Sequence, residues 1–198
     1  MLKVALTGGI ATGKSYVLAR LKERGIATID ADDVVHEAFG PGTATTKALA
    51  DQFGRALLKP DGSIDRALLA KIVFTDPEAR RQVESIVHPI VYSTIRKWFD
   101  ASDRTIGVAS IPLLYETGRE KDFDVVAVTV CPPDVQLERL LERDRMSQEE
   151  ARQRIAAQMP VEEKASRGDF VILTGGTTRA TDAQIDELIA TMNARKGS

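Results

Sequence analysis

Apolar residues collect in five short runs along the chain: Lys3–Leu6, Ala27–Ile29, Thr105–Ile111, Val125–Cys131 and Phe170–Leu173. Several are continuously apolar instead of alternating, the pattern of strands covered on both faces. Between the runs the apolar positions take helical spacing. Val17, Leu18 and Leu21 share one face of a helix predicted from about Ser15 to Arg24, with Gly25 as its stop. Strands alternating with helices predict an α/β fold built on a doubly wound parallel sheet.

The spacing is uneven. Roughly 70 residues separate the second run from the third, and their pattern is helical throughout. Thr43, Asp65 and Asp76-Pro77 are expected helix starts, and Gly40-Pro41-Gly42 and Pro60-Asp61-Gly62 are expected turns. This block, about 33–103, reads as a helical insertion on a core formed by about 1–32, 104–135 and 166–198. After the fourth run comes an arginine-rich helical stretch, about 136–165. It breaks near Asp144-Arg145-Met146, and Ser147 with Glu150 has the spacing of a capping box. The last helix is expected from Thr181 and Asp182.

Composition narrows the class. The 198 residues suffice for one domain of ordinary size, and 43% hydrophobic with 28% charged content is globular. A chain this long buries enough surface to fold without a disulfide or structural metal. Cys131, the only cysteine, can make neither an internal disulfide nor a cysteine zinc site. With 27 basic and 29 acidic residues, the chain is not built as a dedicated nucleic-acid binder. The opening Met1–Thr7 is too short for a signal peptide or a span, and no run approaches ~18 apolar residues. The expectation is a cytoplasmic protein with no membrane partner; oligomeric state is left open.

The strongest motif is Gly8-Gly9-Ile10-Ala11-Thr12-Gly13-Lys14-Ser15, which matches G-x-x-x-x-G-K-[ST] between a predicted strand and a predicted helix. The glycines let backbone N–H groups turn around phosphate oxygens without a Cβ clash. The following helix aims its positive end at the same anion. Lys14 supplies a point charge near the β and γ phosphates, and the Ser15 hydroxyl is a magnesium ligand. The motif predicts a nucleoside triphosphate with Mg2+.

Other positions narrow the type of nucleotide protein. The N-K-x-D guanine signature is impossible, since the only asparagine is Asn193. The third run, Ile106-Gly107-Val108-Ala109-Ser110-Ile111, lacks the terminal acids of an ATPase motor. Carboxylates stand instead at Asp30-Ala31-Asp32-Asp33. Strand alternation puts Asp30 and Asp32 on one side of the second strand's carboxyl end, where ligands of open parallel sheets bind. One then serves the metal (Asp30) and the other accepts the proton of an attacking hydroxyl (Asp32). The alternative is that the acidic run caps a helix beginning at Val34. Arg139 and Arg143, four apart, share a helix face. They suit a lid that neutralises the transferring phosphoryl group, unless Glu138 and Glu142 merely pair with them.

These residues resemble the dephospho-coenzyme A kinase family over nearly the whole chain. The resemblance rests on Ala5-Leu6-Thr7-Gly8-Gly9-Ile10 with Thr12-Gly13-Lys14-Ser15, on Asp30-Ala31-Asp32 with His36, and on Ile86-Val87-His88-Pro89. It extends to Ile111-Pro112-Leu113-Leu114-Tyr115-Glu116 and to Gln136, Arg139, Arg143-Asp144 and Gln158. It implies a P-loop NTPase three-layer fold with a five-stranded parallel sheet, a helical acceptor-binding insertion and a helical lid. It implies transfer of the ATP γ-phosphate to the ribose 3′-hydroxyl of dephospho-coenzyme A. Lys14, Asp32 and Arg139 would be catalytic, Gly8 to Ser15 with Arg143 would hold the nucleotide, and Ser15 and Asp30 the metal. Asp32, His36, His88, Pro112, Leu113 and Leu114 would meet the acceptor. From the residues alone His88 before Pro89 is expected to shape a turn, and Leu113 and Leu114 could equally be core. A nucleoside or nucleotide kinase, or a nucleotide sensor without turnover, remains open on the same scaffold. Ala11 replaces a glycine common in the family loop and Tyr16 a threonine, both expected to be tolerated because those positions contribute backbone. Thr174 lies near a position where the family often has asparagine, which bears on nucleobase selectivity.

Overall fold

The structure, a computed structural model, describes residues 1–195. These form two compact units: Met1–Asp30 together with the chain from Asp103 onward, and Ala31–Ser102.

The first unit holds the sheet. Strands β1 (Leu2–Gly8), β2 (Ala27–Asp30), β3 (Ile106–Ser110), β4 (Val125–Val130) and β5 (Phe170–Leu173) are all parallel, in the order β2-β3-β1-β4-β5. All five predicted runs are strands. The three central strands are the most deeply buried because they are covered on both faces, while the wholly apolar Phe170–Leu173 lies at an edge. Val4, Ala5, Leu6, Val108, Ala109, Ala127 and Val128 have no exposed surface, whereas Leu173 on the edge strand is 58% exposed.

Helix α1 (Lys14–Glu23) leaves the end of β1 and buries Val17 and Leu21. Its stop is the predicted one, with Gly25 at φ 80°. The final helix of the unit (Thr178–Arg195) buries Ile185, Leu188 and Met192 in the same core. It starts three residues before the expected Thr181, because the Thr177 hydroxyl accepts from Ala180 N–H (3.2 Å) and supplies a start signal upstream.

The second unit is nearly all helical: α2 (Ala31–Ala38), α3 (Ala44–Phe53), α4 (Arg66–Thr75) and α5 (Pro77–Ala101). The expected caps are present. Thr43 accepts from Thr46 N–H, Asp65 from Ala67 and Leu68, and Asp76 from Glu78 and Ala79. Between α3 and α4 the chain makes one antiparallel bridge, Leu58 to Ile64, around the predicted Pro60-Asp61-Gly62 turn. Helix α5 packs against α2, α3 and α4, burying Val87, Val91, Ile95 and Phe99 at four-residue intervals.

That stripe corrects the expected turn at His88-Pro89. Both residues lie inside α5, although proline there removes the hydrogen bond to the Ser85 carbonyl at a cost of ~3 kcal/mol. Buried positions on both sides hold the helix continuous across it. His88 instead meets Tyr92 edge-on, ring centroids 6.1 Å apart.

The helices after β4 are α6 (Pro133–Asp144), α7 (Gln148–Ala156) and α8 (Val161–Arg167), and the final helix is accordingly α9. The break between α6 and α7 falls at Arg145, in the left-handed region at φ 49°. The Ser147–Glu150 capping box is present.

Candidate active site

The loop Gly8–Ser15 leaves the central strand at the carboxyl edge of the sheet, where parallel α/β sheets bind ligands. Its shape is fixed by close approach. Gly8 has φ 152°, and a Cβ there would lie 2.3 Å from Thr129 Oγ1, so the position admits only glycine. Gly13 is left-handed at φ 87°, with Thr174 Cβ 3.2 Å from where its own Cβ would be. Thr12 is fully buried. Its hydroxyl donates to the Gly9 carbonyl (2.8 Å) and lies 2.8 Å from that of Thr129, while Thr174 donates to the Thr12 carbonyl (2.7 Å).

Ala11 has φ 58°. The position contributes backbone, and that backbone is left-handed, which costs about 1–2 kcal/mol for an L-residue.

The N-terminus of α1 has no side-chain cap and no acid in its first turn. Its first N–H groups and the positive end of its dipole are left to an anion. Ser15 is exposed in that turn. The Lys14 ammonium donates to the carbonyls of Gly9 (2.7 Å) and Gly8 (3.2 Å), folded over the loop it is expected to serve.

Asp30 ends β2 in register with Ser110 of β3, which is in register with Leu6 of β1. The carboxylate therefore belongs to the same sheet edge as the phosphate loop. Asp32 does not continue that strand. Helix α2 begins at Ala31, so Asp32 and Asp33 occupy its first turn and strand alternation says nothing about where Asp32 points. The expected helix start at Val34 is likewise three residues late.

Beside the loop lies a cavity of about 240 Å³ lined by Gly13, Tyr16, Arg139, Thr174, Gly176 and Thr178. Arg139, on α6, donates to the Thr174 carbonyl (2.7 Å) and hydroxyl (3.4 Å), which places its guanidinium in the cavity wall. Tyr16 is anchored by donating to Asp182 (3.0 Å), which also receives two hydrogen bonds from Arg20 (2.8 and 2.9 Å). Those guanidinium bonds, and then the Tyr16 bond, hold the Asp182 carboxyl below the usual carboxylate range. Arg143, one turn beyond Arg139, is exposed and bonded to Asp144 (2.7 and 2.9 Å), which it holds in the ionised form.

The segment after β3 mixes two roles. Leu114 and Tyr115 are buried, so Leu114, expected among acceptor contacts, is a core residue; Pro112 and Leu113 keep partial exposure. The Pro112 carbonyl and Glu116 carboxylate are held by Lys164, which has no exposed surface (2.9 and 2.7 Å). In the helical unit Arg66 donates to Nδ1 of His36 (2.9 Å); guanidinium has no acceptor, so the ring proton sits on Nε2.

Two contacts of the loop were not foreseen from sequence. Gln136 donates to the Ile10 carbonyl, and Ile10 N–H donates to Gln158, each at 2.8 Å. The glutamines lie 126 and 148 residues from Ile10, and no local spacing signals such pairings.

A sequence model of the dephospho-CoA kinase family matches residues 2–179. The chain belongs to the dephospho-CoA kinase family. The dephospho-CoA kinase of Anaeromyxobacter dehalogenans is 43% identical over the whole of this chain and 95% of its own length. Two solved structures are similar: TT1252 from Thermus thermophilus (29% identity, TM-score 0.84, 96% of this chain and 97% of that one) and dephospho-CoA kinase from Campylobacter jejuni (28%, 0.70, 95% of each). Within the dephospho-CoA kinase family ATP is the co-substrate, and the cavity adjoins the loop at Gly13 and helix α1 at Tyr16. Among the described residues no helix is long and apolar enough to cross a membrane.

Proposed function

We propose that this chain transfers the γ-phosphoryl group of ATP to the ribose 3′-hydroxyl of dephospho-coenzyme A, giving coenzyme A and ADP. The observation that carries the proposal is family membership over residues 2–179, joined to a phosphate loop whose buried contacts are complete.

The triphosphate lies along the loop from Gly8 to Ser15 and the N-terminus of α1. Lys14 leaves the carbonyls of Gly8 and Gly9 for the β and γ phosphates. The base and sugar enter the cavity, whose volume is below the roughly 300–1,000 Å³ typical of whole drug-sized ligands and so suits part of a nucleotide. Arg139 meets the nucleotide from the cavity wall, and neutralising the transferring group requires it to release Thr174. Arg143 supports the nucleotide from the same helix.

The residues present fit Mg2+. Ser15 and Asp30 offer hard oxygens, and this ion is ordinarily held by one or two protein oxygens plus phosphates and water. When bound it neutralises phosphate charge. No cluster of three or more His, Cys, Asp or Glu exists among the described residues, as that mode of binding allows.

Asp32 is the general base. Its Cα lies within two peptide steps of Asp30, about 7 Å at most. As the acceptor's 3′-oxygen bonds to the γ-phosphorus and the bond to ADP breaks, the hydroxyl proton passes to the Asp32 carboxylate. His36, His88, Pro112 and Leu113 are proposed acceptor contacts. The single buried thiol, Cys131, suits a reducing compartment, and we place the protein in the cytoplasm.

The test is ADP formation with Mg-ATP and dephospho-coenzyme A, nucleosides or no acceptor, with the new phosphate located by mass spectrometry. Turnover confined to nucleosides would overturn the proposal. Asp32→Asn is expected to lower kcat about 10²–10⁴-fold with ATP binding retained; near-normal turnover removes Asp32 as the base.

A further inference from the structure

The two glutamines of the arginine-rich segment hold adjacent peptides of one loop residue, and the geometry fixes the direction of each bond. A backbone carbonyl only accepts and a backbone N–H only donates, so Gln136 must present its NH2 to Ile10 and Gln158 its oxygen. Gln136 is 5% exposed, and a Cβ on Gly9 would fall 2.8 Å from its Nε2. The amide is thus packed onto the loop and not resting on its surface.

The Ile10 carbonyl belongs to the same peptide as the Ala11 N–H. No peptide in the described chain is cis, and in a trans peptide C=O and N–H point in opposite directions. Holding the carbonyl toward Gln136 therefore turns the Ala11 N–H toward the other face of the loop. The same grip maintains the left-handed conformation of Ala11, a strained geometry that persists only where surroundings over-determine it. The preceding peptide is held too. Its Gly9 carbonyl accepts from Lys14 and Thr12, while its Ile10 N–H faces the opposite way, to Gln158. The Ile10 N–H is occupied by Gln158, and the Ala11 N–H is the donor this arrangement aims.

We infer that Gln136 is a positioning residue for nucleotide binding: by fixing the Ile10 carbonyl it orients the Ala11 N–H toward phosphate, with Gln158 steadying the neighbouring peptide. The inference rests on the phosphate-loop reading above. It makes the segment from α6 to α8 part of the phosphate cradle through hydrogen-bond direction, apart from any arginine it carries.

The test compares Gln136→Glu with Gln158→Glu. Both introduce the same charge beside Ile10, but only the first loses a required donor; in the second, the carboxylate that replaces the amide still accepts from the Ile10 N–H. Gln136→Glu is expected to raise the Kd for Mg-ATP, measured by equilibrium dialysis, and the KM for ATP about tenfold, with the acceptor KM unchanged. Gln158→Glu should change either by no more than a few-fold. Equal effects in the two variants, or an effect of Gln136→Glu falling on the acceptor KM, would overturn the inference. If Gln136→Glu does not fold by circular dichroism, Gln136→Met removes the same donor without adding charge and is expected to raise the same two constants with the acceptor KM unchanged; unchanged ATP constants in that variant would overturn the inference. A parent protein that binds no Mg-ATP removes the phosphate-loop reading and this inference together; a parent that binds normally beside two equivalent variants removes this inference alone.

Discussion

The phosphate loop and the helical unit keep their shapes by opposite means. The loop is held by partners far along the chain: Thr129, Gln158 and Thr174 reach Thr12 and Ile10 across 117, 148 and 162 residues. The helical unit is set locally, with Thr43, Asp65 and Asp76 capping helices two or three residues away, and is then closed by the apolar stripe of α5. A network of distant partners fails as a whole, whereas a set of local caps loses stability in small and nearly independent steps.

The same substitution in each region sharpens the contrast most. Gly8→Ala drives a methyl group into Thr129 and is expected to cost several kcal/mol, abolishing cooperative unfolding or nucleotide binding in thermal and dialysis measurements. Gly42→Ala, at φ 72° with nothing within 4 Å of the added Cβ, should cost only about 1 kcal/mol and leave the transition intact. Comparable losses would break the comparison. Next in size is Thr129→Val. It keeps the volume but deprives the Thr12 hydroxyl of a buried partner and should lower stability by about 1–3 kcal/mol, read from denaturant midpoints, with weaker nucleotide binding. Asp65→Ala removes one cap and should cost about 1 kcal/mol, roughly 2–4 °C in Tm, without altering the KM for ATP.

The smallest effect is electrostatic. Asp182 fastens α9 to α1 through Arg20 and Tyr16, and its folded pKa lies below its unfolded one. A depressed carboxylate contributes stability above its unfolded pKa, about 3.9, and loses it as pH falls through the folded value. Asp182→Asn should therefore lower Tm slightly at pH 7, and the gap from the parent should close as the pH drops below about 4. A gap that stays constant down to about pH 2 would show that the carboxylate's charge is not what it contributes.

The comparison also explains what could be read from the sequence. Caps, turns and the loop motif depend on residues within a few positions of one another, so Thr43, Asp65, Asp76, Ser147 and Gly8–Ser15 were all legible. Strand positions were legible because buried parallel strands collect apolar residues in unbroken runs, as in Val4-Ala5-Leu6 and Val125-Val126-Ala127-Val128. Errors arose where a local rule met a competing one. Thr177 began α9 before the more conspicuous Thr181-Asp182, α2 took Asp32 out of the strand, and α5 absorbed Pro89 because its buried stripe continues on both sides. What the sequence concealed was pairing over long separations: Gln136 and Gln158 on Ile10, Thr174 on Thr12, and Lys164 on Pro112 and Glu116. Each of these joins residues whose spacing carries no period.

The central place of β1 has a consequence for how the protein is made. Its neighbours on both sides, β3 and β4, lie more than a hundred residues later in the chain, with Leu2 opposite Ile106 and Val4 opposite Val125. At ribosomal speeds of about 5–20 residues per second, the first strand emerges and waits roughly 5–20 s before either flank exists. The helical unit, encoded in that interval, contains its own stabilising contacts and can mature first. The phosphate loop, translated before either flanking strand, is thus completed only after both have arrived.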